Sequence, residues 1–123
     1  MNWLLVFLGG GAGACCRFGL ARLLPPSADG FPWATYLANL LACIVLGLCL
    51  GAIIREQLPR GAQLLLITGF CGGFSTFSTF AAELAEQLQT GQPVMAALYL
   101  LGSVVMGVLS IVAVIYLTAS LPG

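Results

Sequence analysis

Twelve consecutive positions carry most of the chemistry in this sequence: Gly69-Phe70-Cys71-Gly72-Gly73-Phe74-Ser75-Thr76-Phe77-Ser78-Thr79-Phe80. Three glycines, four hydroxyls and four phenylalanines sit inside an apolar run. A continuous helix facing lipid has no use for that mixture. Gly72-Gly73 weakens a helix, and Ser and Thr hydroxyls can satisfy backbone groups released at a break. The expectation is a helix broken at Gly72-Gly73 in mid-membrane, with freed carbonyls and N–H groups able to coordinate ions. Phe77 and Phe80 are three apart and share a helical face. An aromatic ring has a positive edge, so the pair can meet an anion without presenting a full charge. Plain core packing is the competing account, and the interleaved Ser-Thr repeats fit it less well. Glu83 and Glu86 follow on the second half of the same segment.

Other polar residues lie within apolar runs. Asn39 carries two N–H donors and a carbonyl, so it must pair with another helix or line a polar path. Arg17 follows a glycine run, Gly9-Gly10-Gly11-Ala12-Gly13. It either snorkels to the interface or faces protein and water at depth. Tyr99, Ser103, Met106 or Gly107, and Ser110 recur at helical spacing and put hydroxyls on one face of the last segment. Gly9 with Gly13, Gly47 with Gly51 and Gly69 with Gly73 are G-x-x-x-G pairs, which let helices approach closely in lipid. Gly9-x-Gly11-x-x-Ala14 formally fits a dinucleotide fingerprint, but no strand precedes it.

Four helices must position these residues. The chain has 123 residues, 60% hydrophobic and 7% charged. A soluble domain carries roughly 25% charged residues, so the class is an integral membrane protein of one domain, 1–123. The few arginines form no basic patch, which excludes a nucleic-acid binder. About 20 apolar residues cross a bilayer. Spans are expected from Trp3 to about Leu24, Trp33 to about Ile54, about Ala62 to Leu88 and Val94 to about Thr118. Pro25-Pro26, Pro59 and Pro93 punctuate the connectors, and Trp3, Trp33 and Tyr116 sit near span ends as interfacial aromatics do. The apolar stretch before Gly9 is short and lacks a positive flank, so cleavage at Ala12-Gly13-Ala14 is not expected. Retention in a bacterial inner membrane is expected. Arg55 and Arg60 mark one side, Arg17 and Arg22 the other, so charge leaves orientation undecided or dual. Five cysteines without histidine or a C-x-x-C pair read as packing residues.

The chain resembles the Fluc fluoride channels, the CrcB family, over essentially its whole length. Three motifs carry the likeness: Gly9-Gly10-Gly11-Ala12-Gly13-Ala14-Cys15-Cys16-Arg17, Thr35-x-x-x-Asn39, and the segment from Gly69 to Phe80. The resemblance implies an antiparallel, dual-topology homodimer in the lipid bilayer, with two pores that carry F⁻ passively. It implies that Phe77 and Phe80 line the fluoride path with Asn39, Ser78, Thr79, Tyr99 and Ser103. Arg17 and Glu83 match vestibule positions. A structural Na⁺ at the dimer interface maps to the backbone carbonyls of Gly72 and Ser75. Ser75 stands where many members carry Thr, and Gly107 where a pore-side Ser occurs in some. F⁻ is small and strongly hydrated, so donors such as Asn39, Ser78, Thr79 and Ser103 suit its path.

The rival is a proton-coupled antiporter like the small multidrug resistance transporters. Those rely on an acid embedded in the first span, and the first span here has none. A non-catalytic assembly subunit would suit the glycine seams but leaves the broken third span without purpose. An enzyme is not expected, since no nucleophile–base constellation is in view.

Overall fold

A computed structural model gives the fold. It describes residues 1–122, so Gly123, the last position of the expected unit, lies outside the described residues. Among the described residues the chain is helical between short connectors. The elements are α1 (Asn2–Leu23), α2 (Trp33–Ile54), α3 (Arg60–Gln63), a π-helical stretch (Leu64–Cys71), α4 (Gly72–Phe74), α5 (Phe77–Gln89) and α6 (Pro93–Ala119). From α3 to α5 the chain forms one bent span, Arg60–Gln89, so four stretches are long and apolar enough to cross a membrane. Their bounds lie close to those expected from hydropathy.

Local chemistry sets the ends. Pro25-Pro26 disfavour helix in the residues before them, and α1 stops at Leu23. Pro93 occupies the first turn of α6, where a missing N–H costs nothing. Gly91, at φ 73°, supplies the left-handed residue that turns α5 toward α6. At the end of α2, Glu56 takes a left-handed conformation at φ 57°. Its N–H reaches the Ile53 carbonyl at 2.9 Å, and the Gln57 N–H reaches the Ala52 carbonyl at 2.9 Å.

Two seams hold the bundle. Helix α2 lies chiefly on α6, and α1 lies on the π-helical stretch and α4. Lipid gives helices no hydrophobic reason to associate, so close backbone approach must do it. A Cβ on Gly13 would stand 2.7 Å from the Phe74 nitrogen and press on the Phe70 carbonyl. A Cβ on Gly9 would stand 2.9 Å from the Phe70 nitrogen, and one on Gly47 would stand 2.9 Å from the Val114 Cβ. The G-x-x-x-G pairs therefore serve packing. The buried centre is small, with Ala38, Ala42 and Phe74 flanked by Leu20 and Phe70. Large apolar side chains such as Phe7, Leu101, Val108 and Tyr116 point outward, as a lipid surface allows. The cysteines are free thiols, with Cys49 and Cys71 buried.

The third span differs from expectation in two ways. The π-helical turn has no sequence signature, and it lies where α1 presses closest, against Leu65, Gly69 and Phe70. Gly72-Gly73 does not break the helix. The chain becomes extended at Ser75 (ψ 157°) and Thr76 (φ −150°, ψ 115°). Helical Gly73 is required by its contact with the Gly10 backbone, so the break passes to the next residues able to cap new helix ends.

Gly13→Ala should lose about 1–3 kcal/mol, because its Cβ meets backbone that cannot yield. Gly19→Ala, with nothing within 4 Å of its Cβ, should be neutral or gain up to ~1 kcal/mol. Denaturation midpoints in detergent, followed by tryptophan emission, compare them. Equal midpoints would remove the α1 seam as a source of stability.

Candidate functional site

The break leaves backbone groups that hydrocarbon cannot satisfy, and their partners define the site. The Cys71 carbonyl accepts the Ser75 N–H at 3.0 Å and the Ser75 hydroxyl at 2.8 Å. The Thr76 N–H, which a continuous helix would give to the Gly72 carbonyl, donates instead to Asn39 Oδ1 at 2.7 Å. Asn39 Nδ2 donates to the Thr76 carbonyl at 3.3 Å. One carboxamide thus clamps both polar groups of Thr76, which also fixes which end is nitrogen. Arg17 Nε donates to the Gly73 carbonyl at 3.2 Å. Thr76 Oγ1 caps α5, accepting the Thr79 N–H at 3.3 Å and donating to Thr79 Oγ1 at 3.1 Å. Among the described residues no donor reaches the carbonyls of Gly72, Phe74 or Ser75.

A second cluster lies further along α5. Thr35 Oγ1 donates to Glu83 Oε1 at 2.6 Å, and Tyr99 OH donates to Glu83 Oε2 at 2.6 Å. Tyr99 is completely buried. Its ring meets Phe80 edge to face, with centroids 4.9 Å apart. Phe80 and Phe77 are 6.1 Å apart. Their surroundings differ sharply, for Phe80 is 7% exposed and Phe77 80%. Ser103, one turn beyond Tyr99, has a buried hydroxyl with no hydrogen-bond partner. Gly107 is buried on the same face, and its carbonyl accepts the Ser110 hydroxyl at 2.8 Å.

The residues expected from sequence therefore fall into two groups. Arg17, Asn39, Gly72 and Ser75 meet at the break. Phe80, Glu83 and Tyr99 meet beyond it, with Phe77 at their outer edge. Ser78 and Thr79 are exposed on the first turn of α5. Arg17 and Glu83 make no ion pair among the described residues, each holding different partners. Sequence reasoning noted Thr35 only as part of a motif. Its i, i+4 spacing with Asn39 was the available signal, since it puts both side chains on the face of α2 that meets α5.

Beside Thr35 and Glu83 opens a cavity of about 550 Å³, also lined by Thr79, Glu86, Gln87 and Trp33. Its rim is the connector from α1 to α2. There the Ser27 hydroxyl, the Phe31 N–H and the Trp33 indole N–H all donate to Asp29. Led by the Ser27 bond, they hold the Asp29 carboxyl below the ordinary carboxylate range. A smaller cavity of about 220 Å³ lies at the break itself, where Cys43, Cys71, Gly72 and Ser75 line it.

These features define a multi-pass helical membrane protein with a polar break inside its third span. The family described as "CrcB-like protein, Camphor Resistance (CrcB)" matches residues 4–115. A "Fluoride-specific ion channel FluC" of Prosthecochloris aestuarii is 46% identical over 105 residues, covering 85% of this chain and 82% of that one. Its counterpart from Phocaeicola vulgatus is 37% identical over 116 residues, covering 94% and 96%. That from Chlorobaculum tepidum is 43% identical over 107 residues, covering 86% and 85%. The chain belongs to the CrcB family.

Asn39→Leu leaves the N–H and carbonyl of Thr76 without partners. It should lower stability by about 1–3 kcal/mol. Thr35→Val takes away one of two donors to Glu83 and should cost less, about 1 kcal/mol. Thermal unfolding in detergent ranks the two; the reverse order would refute the clamp.

Proposed function

We propose that this chain is a fluoride-specific channel that lets F⁻ leave a bacterial cell passively across the inner membrane, lowering cytoplasmic fluoride. The observation that carries the reading is the Phe77–Phe80 pair set between the break and the Glu83–Tyr99 cluster. An anion there meets ring edges and hydroxyl or amide donors, and Arg17 is committed to the Gly73 carbonyl. Asn39 gives one N–H to Thr76 and keeps a second, and the unpartnered Ser103 hydroxyl is a further donor on the path. Ser78 and Thr79 extend the track on the α5 side, with Glu83 toward its aqueous end and Arg17 beside the break, on the Gly73 carbonyl. Family membership and the identity to fluoride-specific relatives support the same reading.

The working unit is an antiparallel homodimer of 123-residue, single-domain subunits. Phe77 is 80% exposed in one subunit, which is a poor setting for a path-lining ring unless a second subunit covers it. The balanced arginines, Arg17 and Arg22 against Arg55 and Arg60, suit insertion in both orientations. A structural Na⁺ at the interface fits the residues present. Asn39 draws the Thr76 N–H away and frees the Gly72 carbonyl, the Ser75 carbonyl is also free, and both residues line one cavity. Gly72 and Ser75 would hold the ion through these oxygens, which are hard ligands suited to it. Its bound charge would balance facing carbonyl dipoles.

Phe80→Ile and Phe77→Ile keep apolar bulk and remove the ring edge. Each should cut F⁻ efflux from proteoliposomes about tenfold or more, the effect of losing ~1.4 kcal/mol. Efflux is read with a fluoride electrode beside a Cl⁻ control. Full efflux in both variants would sink the anion–ring path. Single cysteines near the termini of a Cys-free chain should be labelled from both faces of sealed vesicles. Labelling from one face only would defeat dual topology.

A further inference from the structure

The cavity beside Glu83 has a chemistry that an anion path does not explain. Glu83 and Glu86 line it, and among the described residues no arginine does. Asp29 accepts the Trp33 indole N–H at 3.3 Å, at the edge of the ring. Three of the chain's four acids thus gather at this end; the fourth, Glu56, lies in the turn after α2. The aromatic wall is Phe31 and Trp33, with ring centroids 4.5 Å apart. Hydrogen bonding of the indole N–H to a carboxylate makes the ring face more negative and a better seat for a cation. Gln87 also lines the cavity. It is 6% exposed, and its carboxamide oxygen has no hydrogen-bond partner. That oxygen is closed off from the cavity, so the side chain contributes only to its wall.

We propose that this cavity binds a small organic monocation: an alkylammonium or guanidinium group carried on an apolar body. The carboxylates of Glu83 and Glu86 supply the counter-charge, and the Trp33 and Phe31 faces hold the cationic head. A bare metal ion needs neither the rings nor a space of about 550 Å³, which lies in the usual range for a small-molecule site. Trp33 is 42% exposed at the start of α2, the depth at which interfacial aromatics meet lipid headgroups. The cation can therefore come from an amine headgroup or from a dissolved amine.

The test uses the full chain carrying Trp3→Phe, so that Trp33 is the only tryptophan. In lipid-free maltoside micelles, benzylammonium should change Trp33 emission along a saturable curve, and neutral benzyl alcohol should not. Glu86 is exposed, so Glu86→Gln is expected to fold, and it should weaken binding by ~fivefold or more. Glu86→Asp keeps the charge and should retain binding. A non-saturating curve, the same curve with benzyl alcohol, or an unchanged curve in Glu86→Gln overturns the proposal. Given saturable binding, weaker titration in vesicles containing phosphatidylethanolamine than in pure phosphatidylglycerol assigns the site to a lipid amine. Equal titration assigns it to a dissolved one. Fluoride efflux from the same vesicles separates the two proposals. Normal efflux without binding overturns the cation site alone, and binding without efflux overturns the channel alone.

Discussion

The bond pair between Asn39 and Thr76 is the constraint on which the rest of the third span depends. A helix interrupted within hydrocarbon exposes backbone groups that no water can satisfy, and each costs several kcal/mol if left alone. The carboxamide of Asn39 takes both polar groups of the one residue that is most extended. With Thr76 held, its hydroxyl lies in place to cap α5, and the helix restarts at Phe77. Arg17 plays the matching part on the other side by serving the Gly73 carbonyl. The side chains that looked most expensive within apolar spans thus satisfy the break. Their presence follows from its cost rather than standing as a separate puzzle.

The glycine seam makes this possible from the other direction. Arg17 can reach the Gly73 carbonyl only if α1 lies almost backbone to backbone on the third span. Gly9, Gly13 and Gly73 permit that approach, since a Cβ on any of them would collide with main-chain atoms. The same closeness explains why Gly72-Gly73 stays helical. Gly73 serves contact with α1, Gly72 has nothing within 4 Å of a Cβ, and the conformational freedom of neither is used. Extension falls instead to Ser75 and Thr76, whose hydroxyls serve the end of one helix and the start of the next.

The parts that hydropathy and local composition control were legible in the sequence. The four spans, the small connectors and the presence of a break all follow from apolar run length, proline and glycine placement and the Ser-Thr repeats; of the five cysteines expected to pack, Cys49 and Cys71 are buried while Cys15 and Cys16 are exposed. The exact position of the break was not legible. It depends on which glycine touches α1, a tertiary fact that outweighs local helix propensity. The π-helical turn over Leu64–Cys71 was illegible for the same reason, because it too lies where α1 packs and no local residue pattern marks it. Within the site, Phe80 and Tyr99 share an edge contact because α5 and α6 pack, and spacing within each helix cannot report that. The Thr35–Glu83 bond was half visible, since the shared face of Thr35 and Asn39 was in the sequence while the partner helix was not.

Glu83 raises a further point about an anion path. A carboxylate beside such a path repels its ion, yet here both of its oxygens accept short hydroxyl bonds from Thr35 and Tyr99. Those two donors are committed to the acid and turned away from any passing ion. Under the proposed reading, the groups left to replace water around F⁻ are those without a partner inside the chain. They include the second N–H of Asn39, the Ser103 hydroxyl, the exposed hydroxyls of Ser78 and Thr79 and the edges of Phe77 and Phe80. All are weak or singly available donors. A strongly hydrated anion then finds a series of modest sites instead of one deep well, and conduction requires that binding be weak enough for the ion to leave. Under the same reading, Glu83 contributes to that balance by occupying the Thr35 and Tyr99 hydroxyls.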